Sequence, residues 1–123
     1  MWTYQQSTGE LRQNGLLQVM GYSGHPPLGV NNPSLQDVPN VGPIPEGLWY
    51  IGPPFDDLKC GPYCLLLTPD PKTDTFGRSE FLCHGDEIEH AGAELASDGC
   101  IILPRGIRQS IWLSGDHRLE VIQ

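Results

Sequence analysis

The sequence predicts a mainly β fold of short strands with one short helix. Fifteen Gly and twelve Pro in 123 residues interrupt the chain too often for long helices. Apolar or alternating runs of strand length recur between those interruptions. One segment alone, residues 104–114, combines helical spacing with a proline at its start and a glycine past its end. A chain of this length forms a single domain, residues 1–123, and buries a core without obligatory crosslinks.

Taken in order, residues 2–5, 10–12 and 16–20 read as three strands of an opening meander, and Asn14-Gly15 is a strong hairpin signal. The stretch from Gly21 to Gly42 is rich in Asn, Pro, Ser and Gly; so long a connection is expected to be functional and to wrap the mouth of a site. Pro43-Ile44-Pro45-Glu46-Gly47 is a turn. Leu48-Trp49-Tyr50-Ile51 then reads as a strand closed by Gly52-Pro53-Pro54. Residues 63–68 (YCLLLT) are of buried-strand type and stop at Pro69-Asp70-Pro71. Residues 79–83 read as the strand that delivers His84. In the helix, Ile107 and Ile111 lie four apart with Trp112 beside them, a stripe that belongs in the core. Residues 118–122 (RLEVI) alternate and form a final strand.

The formal charge of −8 argues against a protein that tracks nucleic-acid phosphates or sits on an anionic membrane. No apolar run reaches membrane-span length, and MWTYQQSTGE lacks a basic segment followed by an apolar one. The expectation is a chain made in the cytoplasm without a signal peptide. Of the four cysteines, Cys60 and Cys64 have the spacing of a short disulfide or half of a zinc site, to which Cys83 and His84 are potential contributors. Cys83 precedes His84 in a strand, so its thiol is expected on the opposite face, in the core.

The chemistry concentrates between Phe81 and Leu103, FLCHGDEIEHAGAELASDGCIIL. Two apolar segments flank a polar loop, which places His84 and Cys100 at the ends of adjacent elements. A thiol is a weak nucleophile at neutral pH until an imidazole takes its proton. Gly99 permits a tight turn in which successive amides point at a developing oxyanion. Ser97 is suited to holding that turn. Asp98 would oppose a neighbouring thiolate unless its carboxylate points away or meets a cation, with His90 and Arg105 nearby in sequence. Tyr22, Asn32, Arg78, Asp86 and Asp98 are candidates for contact with substrate; Arg78 suits a carboxylate, or else a surface ion pair. His25 and His117 have no comparable setting.

His84-Gly85-Asp86, a loop, then Ser97-Asp98-Gly99-Cys100 and apolar residues resemble the catalytic signature of the L,D-transpeptidase domain. With residues 1–24, 31–54, 75–86 and 111–121, the chain is similar to small L,D-transpeptidase-like toxic effectors of bacterial type VI secretion systems. The generic pattern has His where this chain has Asp98. The resemblance implies a compact β-sandwich with its helix after the catalytic cysteine, Cys100 as nucleophile, His84 as base and the Gly85 carbonyl as orienter of His84. Asp86 is a side-chain alternative for that last role. The amides of Gly99 and Cys100, with the Asp98 backbone, would form the oxyanion hole. The implied substrate is the peptidoglycan stem tetrapeptide, processed without a metal or cofactor by L,D-carboxypeptidase action with D-amino-acid exchange. The implied partners are an immunity protein and a secretion-apparatus component, and the implied site of action is the periplasm of a target bacterium. The competing expectation is a catalytically inactive module that binds cell-wall peptide or zinc.

Overall fold

In the computed structural model, which describes residues 1–86 and 96–123, the chain opens with three antiparallel strands: β1 (Trp2–Gln5), β2 (Glu10–Gln13) and β3 (Leu16–Met20). Asn14 and Gly15 turn the second hairpin with φ of 49° and 85°, the left-handed pair that such a two-residue turn requires. Next come β4 (Tyr22–Ser23), a 3-10 turn at Pro33–Leu35, β5 (Gly47–Asp57), β6 (Gly61–Pro69), β7 (Leu82–His84), β8 (Ile101–Ile102), α1 (Arg105–Leu113) and β9 (Arg118–Ile122). The expectation about His90 falls outside the described residues.

Among the described residues nine strands make one mixed sheet in the order β3-β2-β1-β9-β5-β6-β7-β8-β4. Its two outermost strands, β3 and β4, are separated in the chain by Gly21 alone, so the sheet must curl until its ends meet. The Gly21 N–H donates to the Gly9 carbonyl at 2.8 Å. A Cβ on Gly21 would stand 2.2 Å from the Ile102 carbonyl oxygen of β8. The opposing layers are therefore two halves of one nearly closed, barrel-like sheet. Its interior holds Trp2, Tyr4, Leu11, Trp49, Leu65 and Ile101, each no more than 2% exposed. Helix α1 turns Ile111 into this core, with Ile107 and Trp112 packed against it.

Two boundaries differ from the sequence expectation. β5 runs on through Gly52-Pro53-Pro54 to Asp57 instead of stopping there. Its pairing with β6 shifts register between Ile51 and Pro54, so the irregularity absorbs the hydrogen bonds the prolines cannot donate. Conversely, the strand delivering His84 begins at Leu82, not Ser79. Glu80 takes φ of 65°, which no strand residue can hold.

Replacing Gly21 by Ala is expected to cost about 1–3 kcal/mol of stability through overpacking against β8. The matched change Gly106→Ala, with nothing within 4 Å of the new methyl, is expected to be neutral or to stabilise by up to roughly 1 kcal/mol. Urea unfolding of both variants checks this; equal losses would contradict the closure.

Candidate active site

Strands β7 and β8 run parallel, with Cys83 opposite Ile101 and His84 opposite Ile102. Cys83 and Ile101 point into the core at 3% and 1% exposure, so by alternation His84 faces the other side. Cys100 immediately precedes β8, and its sulfur reaches back to the Leu82 backbone of β7. Both side chains line one cleft of about 650 Å³, a volume ordinary for a small-ligand site. Pro39 and Asn40 of the long loop border it, as does the β5–β6 connection at Asp57, Lys59 and Cys60.

His84 is 4% exposed, and its Nδ1 lies 2.8 Å from the Gly85 carbonyl oxygen. A carbonyl only accepts, so Nδ1 carries the proton and Nε2 keeps its lone pair. Ser97, fully buried, organises the cysteine turn. Its Oγ accepts from the Gly24 N–H at 2.9 Å and the Gly99 N–H at 3.0 Å, and donates to the Cys100 carbonyl at 2.6 Å. Gly99 has φ of 139°, and a Cβ there would stand 2.4 Å from Arg78 Nη2; only glycine fits. The Leu82 N–H donates to Cys100 Sγ at 3.3 Å.

The charge state follows from burial. Desolvation pushes the Cys100 thiol up to about 11, with the Asp98 charge adding to it and the Leu82 amide and Lys59 opposing. Burial lowers the His84 pKa below its usual 6.5; the Gly85 hydrogen bond works against this and the Arg108 charge with it. At neutral pH the cleft thus holds a neutral thiol and a neutral imidazole. That arrangement supports attack on an electrophilic carbon with proton transfer to Nε2 during bond formation.

The family model described as the Tlde1 domain matches residues 17–121, from the second residue of β3 to the penultimate residue of β9. The chain belongs to the Tlde1 domain family. This is a family of type VI secretion effectors. No curated protein and no solved structure matches the chain.

Within this Tlde1 domain the remaining expected residues take other positions. Tyr22 is 8% exposed; its hydroxyl donates to Asp86 Oδ1 at 2.6 Å and accepts the Ala96 N–H at 3.1 Å. Tyr22 is therefore a tie between the flanks of residues 87–95, and Asp86 engages Tyr22 where the Gly85 carbonyl serves as orienter of His84. Asn32 is a turn residue away from the cleft. Its Oδ1 caps the Ser34 N–H at 3.2 Å and its Nδ2 donates to the Leu28 carbonyl at 3.0 Å.

Arg78 lines the cleft, but its terminal nitrogens are committed. Nη1 donates to the carbonyls of Gln36 and Pro43 at 2.6 and 2.8 Å, and Nη2 to those of Gly42 and Asp98 at 3.0 and 3.2 Å. Its hydrogen-bond acceptors here are backbone carbonyls, with the Asp37 charge acting on it as well. The Asp98 carboxylate does not meet Arg105 among the described contacts; it lies against the His25 ring, with Nδ1 3.2 Å from Oδ1. Arg105 lies over the Tyr63 ring instead, 5.7 Å from its centre. The expected oxyanion hole also changes. Gly99 has given its N–H to Ser97, which leaves the Cys100 amide as the member of that pair outside the Ser97 network.

All four cysteines are free thiols. Cys64 is buried with Sγ 3.2 Å from the Gly61 carbonyl, and Cys83 lies in the core. Among the described residues no three His, Cys, Asp or Glu side chains converge as metal ligands, so the zinc alternative lacks a donor set there. Sequence reasoning missed Arg108, buried at 4%, which donates through Nε to the Leu103 carbonyl at 3.1 Å and through Nη1 to those of Pro62 and Tyr63 at 2.9 and 2.6 Å. The available signal was a charged residue three positions before Ile111, on the apolar stripe of α1.

Alkylation of Cys100 by iodoacetamide, followed by mass spectrometry of its peptide, is expected to be slow at pH 7. Its rate should rise about tenfold per pH unit to near pH 10, because the thiolate fraction grows so below the pKa. A plateau at neutral pH would contradict the raised pKa.

Proposed function

We propose that this Tlde1 domain is a cysteine-dependent L,D-carboxypeptidase, with D-amino-acid exchange, acting on peptidoglycan stem tetrapeptides. The observation that carries the proposal is the shared outer face of β7 and β8. There Cys100 and an imidazole oriented by the Gly85 carbonyl line the same cleft. The order His84, Ser97, Gly99, Cys100 supports it, since it matches the signature the chain resembles.

Sulfur attacks the carbonyl carbon of the third stem residue, usually diaminopimelate, while its proton passes to His84 Nε2. The imidazolium returns that proton to the departing nitrogen of D-alanine as the amide bond breaks, leaving a thioester on Cys100. Water then attacks the thioester carbon, His84 takes the proton, and the tripeptide leaves as the thiol is restored. A free D-amino acid in place of water gives exchange. The Cys100 amide stabilises the oxyanion in both halves.

As an effector the domain would act in the periplasm of a target bacterium, reached through a secretion-apparatus component. A cognate immunity protein in the producing population would guard against it. Both partners are part of this proposal.

Incubation with disaccharide tetrapeptide is expected to yield the tripeptide by mass. D-Methionine should add an exchanged product. Cys100→Ala is expected to abolish both, and His84→Ala to lower the rate about 10²- to 10⁴-fold. Absence of either product from the unaltered protein would remove the proposal; an inactive binding module would retain peptide affinity in Cys100→Ala without any turnover to lose.

The acid limb has a definite sign. Burial lowers the pKa of His84, so a lower pH is needed to protonate it and its base form persists. The fall in kcat/KM on acidification should therefore come below pH 6.5, the ordinary histidine value. A fall centred above that value would contradict the buried setting of the base.

A further inference from the structure

A carboxypeptidase must accept a free carboxylate two bonds beyond the scissile nitrogen, so a cation is needed within reach of the attacking sulfur. Among the described residues, the cleft is lined by two permanently cationic side chains, Arg78 and Lys59. The four hydrogen bonds from Arg78 to backbone carbonyls occupy all its terminal N–H groups.

Lys59 differs in each respect. It is exposed at the β5–β6 connection, and no acid pairs with its ammonium among the described residues. Its backbone is nonetheless held. Asp57 Oδ2 accepts the N–H of Lys59 at 3.0 Å and that of Cys60 at 2.8 Å, and Gly61 closes the turn with φ of 93°. Lys59 and Cys100 line the same cleft. The acids on the cleft wall do not compete equally. Asp57 is turned to those amides and Asp98 to His25; the third acid of the lining, Glu80, brings its backbone carbonyl to 3.8 Å from the Cys100 sulfur.

We propose that Lys59 binds the terminal carboxylate of the peptide substrate and so restricts the site to chains ending one residue past the scissile bond. This rests on the carboxypeptidase assignment and names a specificity-determining residue for it. An ammonium on a flexible stem at a fixed turn can follow the carboxylate from bound peptide to departing amino acid.

The test uses the full chain carrying Cys100→Ala, with calorimetric binding of a stem tetrapeptide and of its C-terminal carboxamide. The carboxylate form is expected to bind about 5- to 10-fold tighter, the range of a partly exposed ion pair. In Cys100→Ala with Lys59→Met that ratio should fall to about one, and Lys59→Arg should restore most of it. A ratio unchanged by Lys59→Met, a ratio near one with Lys59 present, or no binding of either peptide overturns the proposal. The two assignments fail separately. If the unaltered protein never shortens tetrapeptide but the Lys59-dependent preference remains, the carboxypeptidase reaction is lost and the carboxylate site stands.

Discussion

The pairing of two short parallel strands sets the geometry of everything else. β7 and β8 share only the registers Cys83–Ile101 and His84–Ile102, yet those steps decide which side chains meet the core and which the cleft. Because side chains alternate, a slip of one residue would bury Cys100 or turn His84 away from it. Much of the surrounding polar structure guards against that slip. Ser97 ties the turn to Gly24 across the sheet end, and the Leu82 amide reaches the sulfur itself. Gly21, pressed against Ile102, sets β8 against the closing edge of the sheet.

Two buried arginines hold the irregular segments that the ladder cannot. Arg78 gathers carbonyls from residues 36, 42, 43 and 98, and Arg108 gathers those of residues 62, 63 and 103. A guanidinium offers five donors in a fixed plane and remains charged when buried, so it can satisfy several loop carbonyls that no strand partner reaches. Each also bears on the site. Arg78 blocks any side chain at Gly99, and Arg108 lies against Gly85, where a Cβ would come within 2.9 Å of Nη2. The peptide that orients His84 therefore rests on an arginine whose charge helps keep the imidazole neutral.

Local signals carried much of the fold. Proline and the Ile107/Ile111 stripe placed the helix within a residue of its observed ends, Asn14-Gly15 marked a real hairpin, and strand alternation assigned Cys83 to the core. They failed where a neighbour overrides propensity. Pro53 and Pro54 normally end a strand, but a register shift against β6 carries β5 through them. Tyr22, Arg78 and Asp86 are polar residues with two plausible uses each, and the partner that decides between them is distant in sequence. His25 is the clearest case. It lies far from Asp98 along the chain, and nothing near it indicates that its ring would meet that carboxylate.

Sequence alone determined the residue types and order of the chemistry: His84, then Ser97, Gly99 and Cys100, with glycines where the backbone must turn tightly and apolar runs to bury the strands behind them. These are local requirements, and local residues state them. Tertiary structure alone decided the charge state of the thiol and imidazole, the commitment of Arg78 and of the Gly99 amide to backbone partners, and the availability of Lys59. Burial and hydrogen-bond competition depend on which segments pack together, and the curled sheet brings those segments from opposite ends of the chain.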